Sequence, residues 1–111
     1  MIDDGLSRML ELFWHPVCTL AEVEQAAPHP LAVTLLSRRL VVAGLAGERV
    51  AVLADRCAHR STRLSVGWIE GESVRCAYHG WRWAPDGSCL EVPAMPDGPV
   101  PPRARVDGYQ A

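Results

Sequence analysis

Two short segments of this sequence each combine one cysteine with one histidine. The first is Cys57-x-His59, the second is Cys76-x-x-His79, and 16 residues lie between His59 and Cys76. Thiolate sulfur and imidazole nitrogen are common ligands of transition metals in proteins. Four such side chains in two segments are enough for a metal site, so we predict that these four residues bind a metal.

The order of the ligands within each segment narrows the kind of site. Zinc fingers and knuckles usually pair Cys with Cys in one arm, whereas both arms here are mixed. In a Rieske centre, two cysteines bind one iron of a [2Fe–2S] cluster and two histidines bind the other. Each loop must then supply one sulfur and one nitrogen ligand, as these segments do. We interpret them as a Rieske cluster site, with a structural zinc site as the alternative.

The stretches around these segments predict short strands. Val- and Leu-rich runs separated by turn residues are typical of strands, and such runs flank both ligand segments. The predicted strands are 31–36, 40–43, 49–54, 74–76, 81–84 and 89–92, with turns at 44–48 and 85–88. The fold class is therefore all-β: a small antiparallel β domain with two cluster-binding loops at one end.

The two ends of the chain have their own signals. Phe13–Cys18 is strand-like, and Thr19 with Glu22 fits a capping box that begins a short helix. That helix should end near Ala27, because Pro28-His29-Pro30 cannot continue it. Five of the nine prolines lie in Pro93–Pro102, which excludes a helix or a central strand there. One last strand is predicted within Arg103–Tyr109.

Composition limits the function. The 111 residues predict one domain, residues 1–111, and the formal charge of −2 gives no reason to expect nucleic acid. No stretch approaches the ~18 apolar residues of a membrane span, and the N-terminus has no signal-peptide pattern. We therefore predict a cytoplasmic protein. The four cysteines then indicate metal binding before disulfides, and Cys18 and Cys89 are expected to be buried free thiols.

From Arg56 to Pro93 the sequence resembles the Rieske domain of Rieske-type non-haem iron oxygenases, the ring-hydroxylating and O-demethylating enzymes. The resemblance rests on three runs: Cys57-Ala58-His59-Arg60, Leu64-Ser65-Val66-Gly67, and Cys76-Ala77-Tyr78-His79-Gly80-Trp81-Arg82-Trp83 with Asp86-Gly87. It implies one [2Fe–2S] cluster per chain. Cys57 and Cys76 would then bind one iron, and His59 and His79 the other.

The resemblance also implies a role in electron transfer. Oxygenases of this family carry a mononuclear iron on two His and one carboxylate in a further domain, and only His15 and His29 remain here beyond the predicted ligands. These two are expected to be surface or loop histidines. We expect no catalytic residue and no hydroxylation by this chain alone. The expected function is one-electron transfer from a reductase or ferredoxin to an oxygenase iron; the alternative is a free-standing Rieske ferredoxin, which Arg60 and Trp81 disfavour.

Respiratory and photosynthetic Rieske proteins differ from this sequence at four positions. They carry a loop disulfide at the positions of Thr62 and Tyr78, and Ser and Tyr hydroxyls that hydrogen-bond to sulfur at those of Trp81 and Trp83. Fewer donors to sulfur should lower the reduction potential, so we place it at the negative end of the Rieske range. Because Trp81 and Trp83 alternate along a strand, both indoles should lie on one face and pack in the core.

Overall fold

The computed structural model describes residues 9, 14–56, 62–77, 80–94, 100 and 104–111. Within these residues, eight strands form two antiparallel four-stranded sheets. The strands are β1 (Leu31–Leu35), β2 (Arg38–Leu45), β3 (Arg49–Ala54), β4 (Trp68–Glu70), β5 (Ser73–Arg75), β6 (Arg82–Trp83), β7 (Cys89–Glu91) and β8 (Gly108–Tyr109). The order is β1-β2-β3-β8 in the first sheet and β4-β5-β6-β7 in the second. The predicted all-β antiparallel class is confirmed.

A short helix of seven residues, α1 (Leu20–Ala26), precedes the first sheet. Its start is the predicted capping box: the Glu22 amide donates to the Thr19 hydroxyl (3.1 Å), and the Thr19 amide donates to the Glu22 carboxylate (3.0 Å). The helix ends before Pro28, as the proline signal requires. Val23 is the residue of α1 that is buried, and it packs on the outer face of the first sheet.

Strand β2 is central because both of its faces are covered. Leu40, Val41, Val42 and Ala43 are all buried, and a continuous apolar run is what burial on both faces requires. Alternate residues enter two cores. Val41 and Ala43 join the core between the sheets, together with Cys76 and Trp83 of the second sheet. Leu40 and Val42 join an outer cluster with Val23.

Several predicted boundaries are corrected. Residues 14–18 have no regular structure, so the strand predicted for Phe13–Cys18 is wrong over its described part; Pro16 has no amide to donate to a ladder. Strand β1 ends at Leu35 rather than Leu36, because Leu36 and Ser37 adopt positive φ (51° and 65°) in the hairpin turn. Strand β2 continues two residues past Ala43 to Leu45, within the predicted turn.

The second sheet and the C-terminal region also depart from prediction. Strand β4 was not predicted at all. Of the last predicted strand, 103–109, only Gly108–Tyr109 is a strand, with an isolated bridge from Arg105 to Ser88; residue 103 lies outside the described residues. Most of the proline-rich segment, 95–99 and 101–102, also lies outside them.

Candidate metal centre

The first predicted ligand segment begins where β3 ends, at Asp55. The Asp55 side chain is buried (7% exposed), and its carboxylate accepts hydrogen bonds from the amide and the hydroxyl of Ser65, both at 2.8 Å. The Asp55 amide donates to the carbonyl of Arg39 in β2 (3.0 Å). Cys57 and His59 lie between Asp55 and Ser65 in the sequence. Both ends of the first ligand loop are therefore tied together and to the first sheet.

The second predicted ligand segment is closed in a similar way. Cys76 follows β5, is fully buried, and its amide donates to the carbonyl of Trp81 (2.8 Å). The Arg75 Nη1 donates to the carbonyl of Gly80 (2.6 Å). His79 lies between Cys76 and Gly80, so this short loop is also pinned at its base.

Arg75 is itself held by acidic side chains of two other strands. Its Nε and Nη2 donate to the Glu70 carboxylate of β4, and its Nη2 also donates to Glu91 of β7 (2.9 Å). Arg82 shares Glu91 at 3.3 Å. These hydrogen bonds with Arg75 hold the pKa of both Glu70 and Glu91 below the usual value. The guanidinium thus joins three strands of the second sheet to the second ligand loop.

A close backbone approach connects the two loops. Gly67 lies just after the first loop, and a Cβ built on it would lie 2.1 Å from the Arg75 carbonyl oxygen, a distance that excludes any side chain. The Gly67 carbonyl accepts a hydrogen bond from His29 Nδ1 (2.6 Å), which fixes the proton on that nitrogen. His29 is an exposed residue outside the helix and the strands, as expected, but its ring also ties the segment after α1 to Gly67.

The two indoles beside the second loop pack as predicted. Trp83 is fully buried, Trp81 is partly buried against the same cluster, and their ring centroids are 6.1 Å apart. The Trp83 Nε1 is buried and has no hydrogen-bond partner among the described residues. Trp68, in β4, is 39% exposed.

Of the four predicted ligands, the structure describes Cys76 alone. Cys57, His59 and His79 lie outside the described residues, as do Arg60 and Tyr78. Among the residues that are described, no group of three or more His, Cys, Asp or Glu could hold a metal ion. A buried thiol at the base of a pinned loop, in the same core as a buried N–H that has no acceptor among the described residues, nevertheless fits a sulfur-containing group.

The remaining described cysteines lie elsewhere. Neither Cys18 nor Cys89 forms a disulfide, and both are half-buried rather than fully buried as expected. Burial, followed by the nearby Glu22, raises the pKa of the Cys18 thiol. In the part of the chain that the structure describes, no helix has the length and apolar character needed to cross a membrane.

Sequence reasoning missed the residues that close the loops: Asp55, Gly67, Arg75, Glu70, Glu91 and His29. Ser65 and Gly67 belong to one of the runs that carry the family resemblance, so the sequence could mark them as part of the motif. It could not indicate which residues they contact. Nothing local in the sequence indicates which carboxylates Arg75 binds.

The fold and the pinned loops define a Rieske domain, and comparison with known proteins places the chain in that family. Residues 13–107 match the family described as "Rieske [2Fe-2S] domain". The chain therefore belongs to the Rieske [2Fe–2S] domain family, its cofactor is a Rieske-type cluster, and it transfers electrons through that cluster.

Its relatives are oxygenase subunits. The chain is 52% identical over 103 residues to methylxanthine N1-demethylase NdmA and 46% identical over 107 residues to methylxanthine N3-demethylase NdmB, both of Pseudomonas putida. It aligns over 90% of its own length in each case, but spans only 29% and 30% of those relatives. The solved structure of Pseudomonas putida CBB5 NdmA with caffeine matches at a TM-score of 0.87 and 48% identity, covering 94% of this chain and 31% of that one.

Proposed function

We propose that residues 1–111 form one Rieske domain in which Cys57 and Cys76 bind one iron of the cluster and His59 and His79 bind the other. The domain accepts one electron from a reductase or ferredoxin and passes it to the mononuclear iron of an oxygenase. The cluster supplies the one-electron site when bound, and the chain supplies the ligands, the loops that position them and the core that excludes water behind them.

The observation that carries this proposal is the way in which the bases of the two loops meet. The backbone of Gly67, after the first loop, lies against the carbonyl of Arg75, before the second. Each loop is in turn closed by its own hydrogen bonds, Asp55 to Ser65 and Cys76 to Trp81. Loops that start from one rigid base can present their ligands to one cluster, and rigid support is what a preorganised metal site needs.

The chain is better supported as the electron-transfer part of an oxygenase than as a free-standing Rieske ferredoxin. The relatives that match are oxygenase subunits, and the chain covers only about three-tenths of the two demethylases. We propose that this chain serves the corresponding part of an oxygenase, with the mononuclear iron held outside the 111 residues.

Metal analysis and spectroscopy of the purified chain test the ligand assignment. We expect about two iron and two acid-labile sulfide per chain, the content of a [2Fe–2S] cluster. We also expect a Rieske-type electron paramagnetic resonance signal after reduction. His59→Cys and His79→Cys should each abolish that signal. One zinc and no sulfide would refute the proposal in favour of a structural zinc site, and a signal unchanged by either substitution would refute the histidine assignment.

A chimera tests the acceptor. Because two relatives are methylxanthine N-demethylases, we propose an acceptor of the N-demethylating type. Replacing the Rieske region of methylxanthine N1-demethylase NdmA with this chain should preserve release of formaldehyde from caffeine. The same chimera with His79→Cys is the control and should release none. A chimera that contains both iron centres, shows the Rieske signal and still releases no formaldehyde would contradict the proposed acceptor.

A further inference from the structure

Trp83 carries a buried hydrogen-bond donor that no described residue satisfies. The residue is 0% exposed, and its Nε1 is the one buried side-chain nitrogen or oxygen in the described part of the chain without a hydrogen-bond partner. An indole N–H can donate but not accept. A buried polar group without a partner costs about 1–3 kcal/mol. Such a group in a native fold therefore calls for an explanation.

Trp83 belongs to the same buried core as Cys76, one of the predicted cluster ligands. Trp83 of β6 faces Val74 of β5, and two residues further along each strand the Cys76 amide bonds to the Trp81 carbonyl. Opposed residues of an antiparallel pair share a face, and so do alternate residues of one strand. Trp83 and Cys76 are accordingly both fully buried members of the core cluster between the sheets. The unsatisfied N–H belongs to the core layer from which the second ligand loop departs.

Packing alone does not account for an indole at this position. The other fully buried members of the cluster are apolar or a thiol: Val41, Ala43, Leu53, Leu64, Val74 and Cys76. A phenylalanine would bury an aromatic ring among them without leaving a donor unsatisfied. Complete burial also excludes bulk solvent as the acceptor. An acceptor supplied by a bound group would remove the cost.

We propose that the Trp83 Nε1–H donates a hydrogen bond to an anionic sulfur of the bound cluster, either a bridging sulfide or a cysteine thiolate. This inference rests on the proposed function, because it requires the cluster. Reduction adds one electron, and therefore negative charge, to the cluster and breaks no bond. A hydrogen-bond donor to sulfur stabilises the reduced form more than the oxidised form, and so it raises the reduction potential. Respiratory Rieske proteins have a hydroxyl donor to sulfur at the position of Trp83. In this chain the indole N–H then takes the place of that hydroxyl as the donor.

The test removes the N–H while keeping the ring. Trp83 is replaced by β-(3-benzothienyl)alanine, in which a ring sulfur takes the place of the N–H, and Trp83→Phe is a second variant. The matched control is the same analogue at Trp68, a 39% exposed indole that hydrogen-bonds to Glu70. All variants are purified with the cluster assembled, and their midpoint potentials are measured by redox titration.

We expect both Trp83 variants to have a lower midpoint than the wild type, by up to about 59 mV, a tenfold change in a one-electron equilibrium constant. The Trp68 variant should keep the wild-type midpoint. Electron–nuclear double resonance of the reduced wild type should also show an exchangeable-proton coupling that the benzothienyl variant at position 83 lacks.

The outcomes separate this inference from the proposed function. A benzothienyl variant at position 83 with the wild-type midpoint and the same proton coupling would overturn the inference and leave the cluster assignment intact. Loss of the cluster from a folded benzothienyl variant at position 83, with retention in the Trp68 control, would support the inference, because the N–H is the group that was removed. A wild-type chain without iron and sulfide would overturn both.

Discussion

The carboxylate of Asp55 and the backbone and hydroxyl of Ser65 are joined by two hydrogen bonds of 2.8 Å across the base of the first ligand loop. A buried carboxylate is stable only when its lone pairs are satisfied, and Ser65 supplies two donors from ten residues away. The pair therefore holds the segment that contains Cys57 and His59 to the sheet.

Replacing Asp55 should weaken both the fold and the cluster site. In Asp55→Asn, one oxygen becomes an NH₂ group that cannot accept, so one Ser65 donor loses its acceptor. We expect the free energy of unfolding to fall by about 1–3 kcal/mol, and the cluster to be lost faster. Urea titration and iron-release kinetics measure the two effects.

Asp86→Asn is the matched control for this change. Asp86 also accepts from the amide and the hydroxyl of a serine, Ser88, but both bonds go to its Oδ1 (2.9 and 2.6 Å) and lie at an exposed turn. Its replacement should cost much less and leave iron release unchanged. Equal effects of the two variants would show that burial at the loop base is not what makes Asp55 important.

The contact between Gly67 and Arg75 predicts intolerance of any side chain at position 67. Gly67→Ala would place a Cβ 2.1 Å from the Arg75 carbonyl oxygen, so the bases of the two loops must separate. Such overpacking typically costs about 1–3 kcal/mol. We expect a lower unfolding midpoint and reduced cluster content, measured by denaturation and iron analysis.

Gly71→Ala provides the comparison for Gly67→Ala. Gly71 has positive φ (60°) but open space where the Cβ would lie, so the cost there is conformational and confined to the turn. It should reduce stability without reducing the cluster content of the folded protein. A fully loaded Gly67→Ala variant would contradict the inference that this contact sets the relative position of the loops.

The hydrogen bonds of Arg75 with Glu70 and Glu91 should make the stability of the fold depend on pH. These hydrogen bonds lower the folded-state pKa of Glu70 and Glu91 from the ordinary 4.5, so the unfolded state binds more protons in the acid range. The stabilisation is therefore present above the unfolded pKa and is lost as the pH falls through the lower folded values. Arg75→Gln should flatten the fall in urea midpoint between about pH 5 and pH 3.

Arg49→Gln controls for the loss of one positive charge. Arg49 lies outside this network and makes an exposed ion pair with Glu72 at 3.8 Å. This variant should retain the wild-type slope below pH 5, since exposed pairs of this kind contribute little. The same slope in Arg75→Gln as in the wild type would show that the two carboxylates do not depend on Arg75.

The midpoint potential should lie in the lower part of the Rieske range, which spans about −150 to +300 mV. Thr62 and Tyr78 exclude the loop disulfide, and Trp81 lacks the hydroxyl donor of the respiratory proteins. Arg60 opposes these effects, but an exposed charge is screened by salt. Restoring a hydroxyl with Trp81→Ser should raise the midpoint. A wild-type value above roughly +150 mV, in the upper part of the range, would contradict the expected low potential.

The sequence by itself determined the class of site and much of the secondary structure. Ligand type and spacing are chemical properties of the residues, so the mixed Cys/His arms indicated a Rieske cluster before any coordinates. The sequence also predicted the capping box of Thr19 and Glu22 and the apolar run of β2, because each pattern lies within a few consecutive residues. Strands β4 and β8 have three and two residues, too few to show a period. Strand β4 was not predicted, and the strand predicted around β8 was too long.

Only the tertiary structure decided how the ligand loops are held. Three of the contacts that hold the loops join residues far apart in the sequence. The separation is 10 residues for Asp55 and Ser65, 16 for Arg75 and Glu91, and 38 for His29 and Gly67. No local pattern selects one distant partner among many, because each contact exists only once the two sheets have packed. For Trp83, the core position was predicted from its alternation with Trp81. That its N–H has no acceptor among the described residues emerges only from the packing between the sheets.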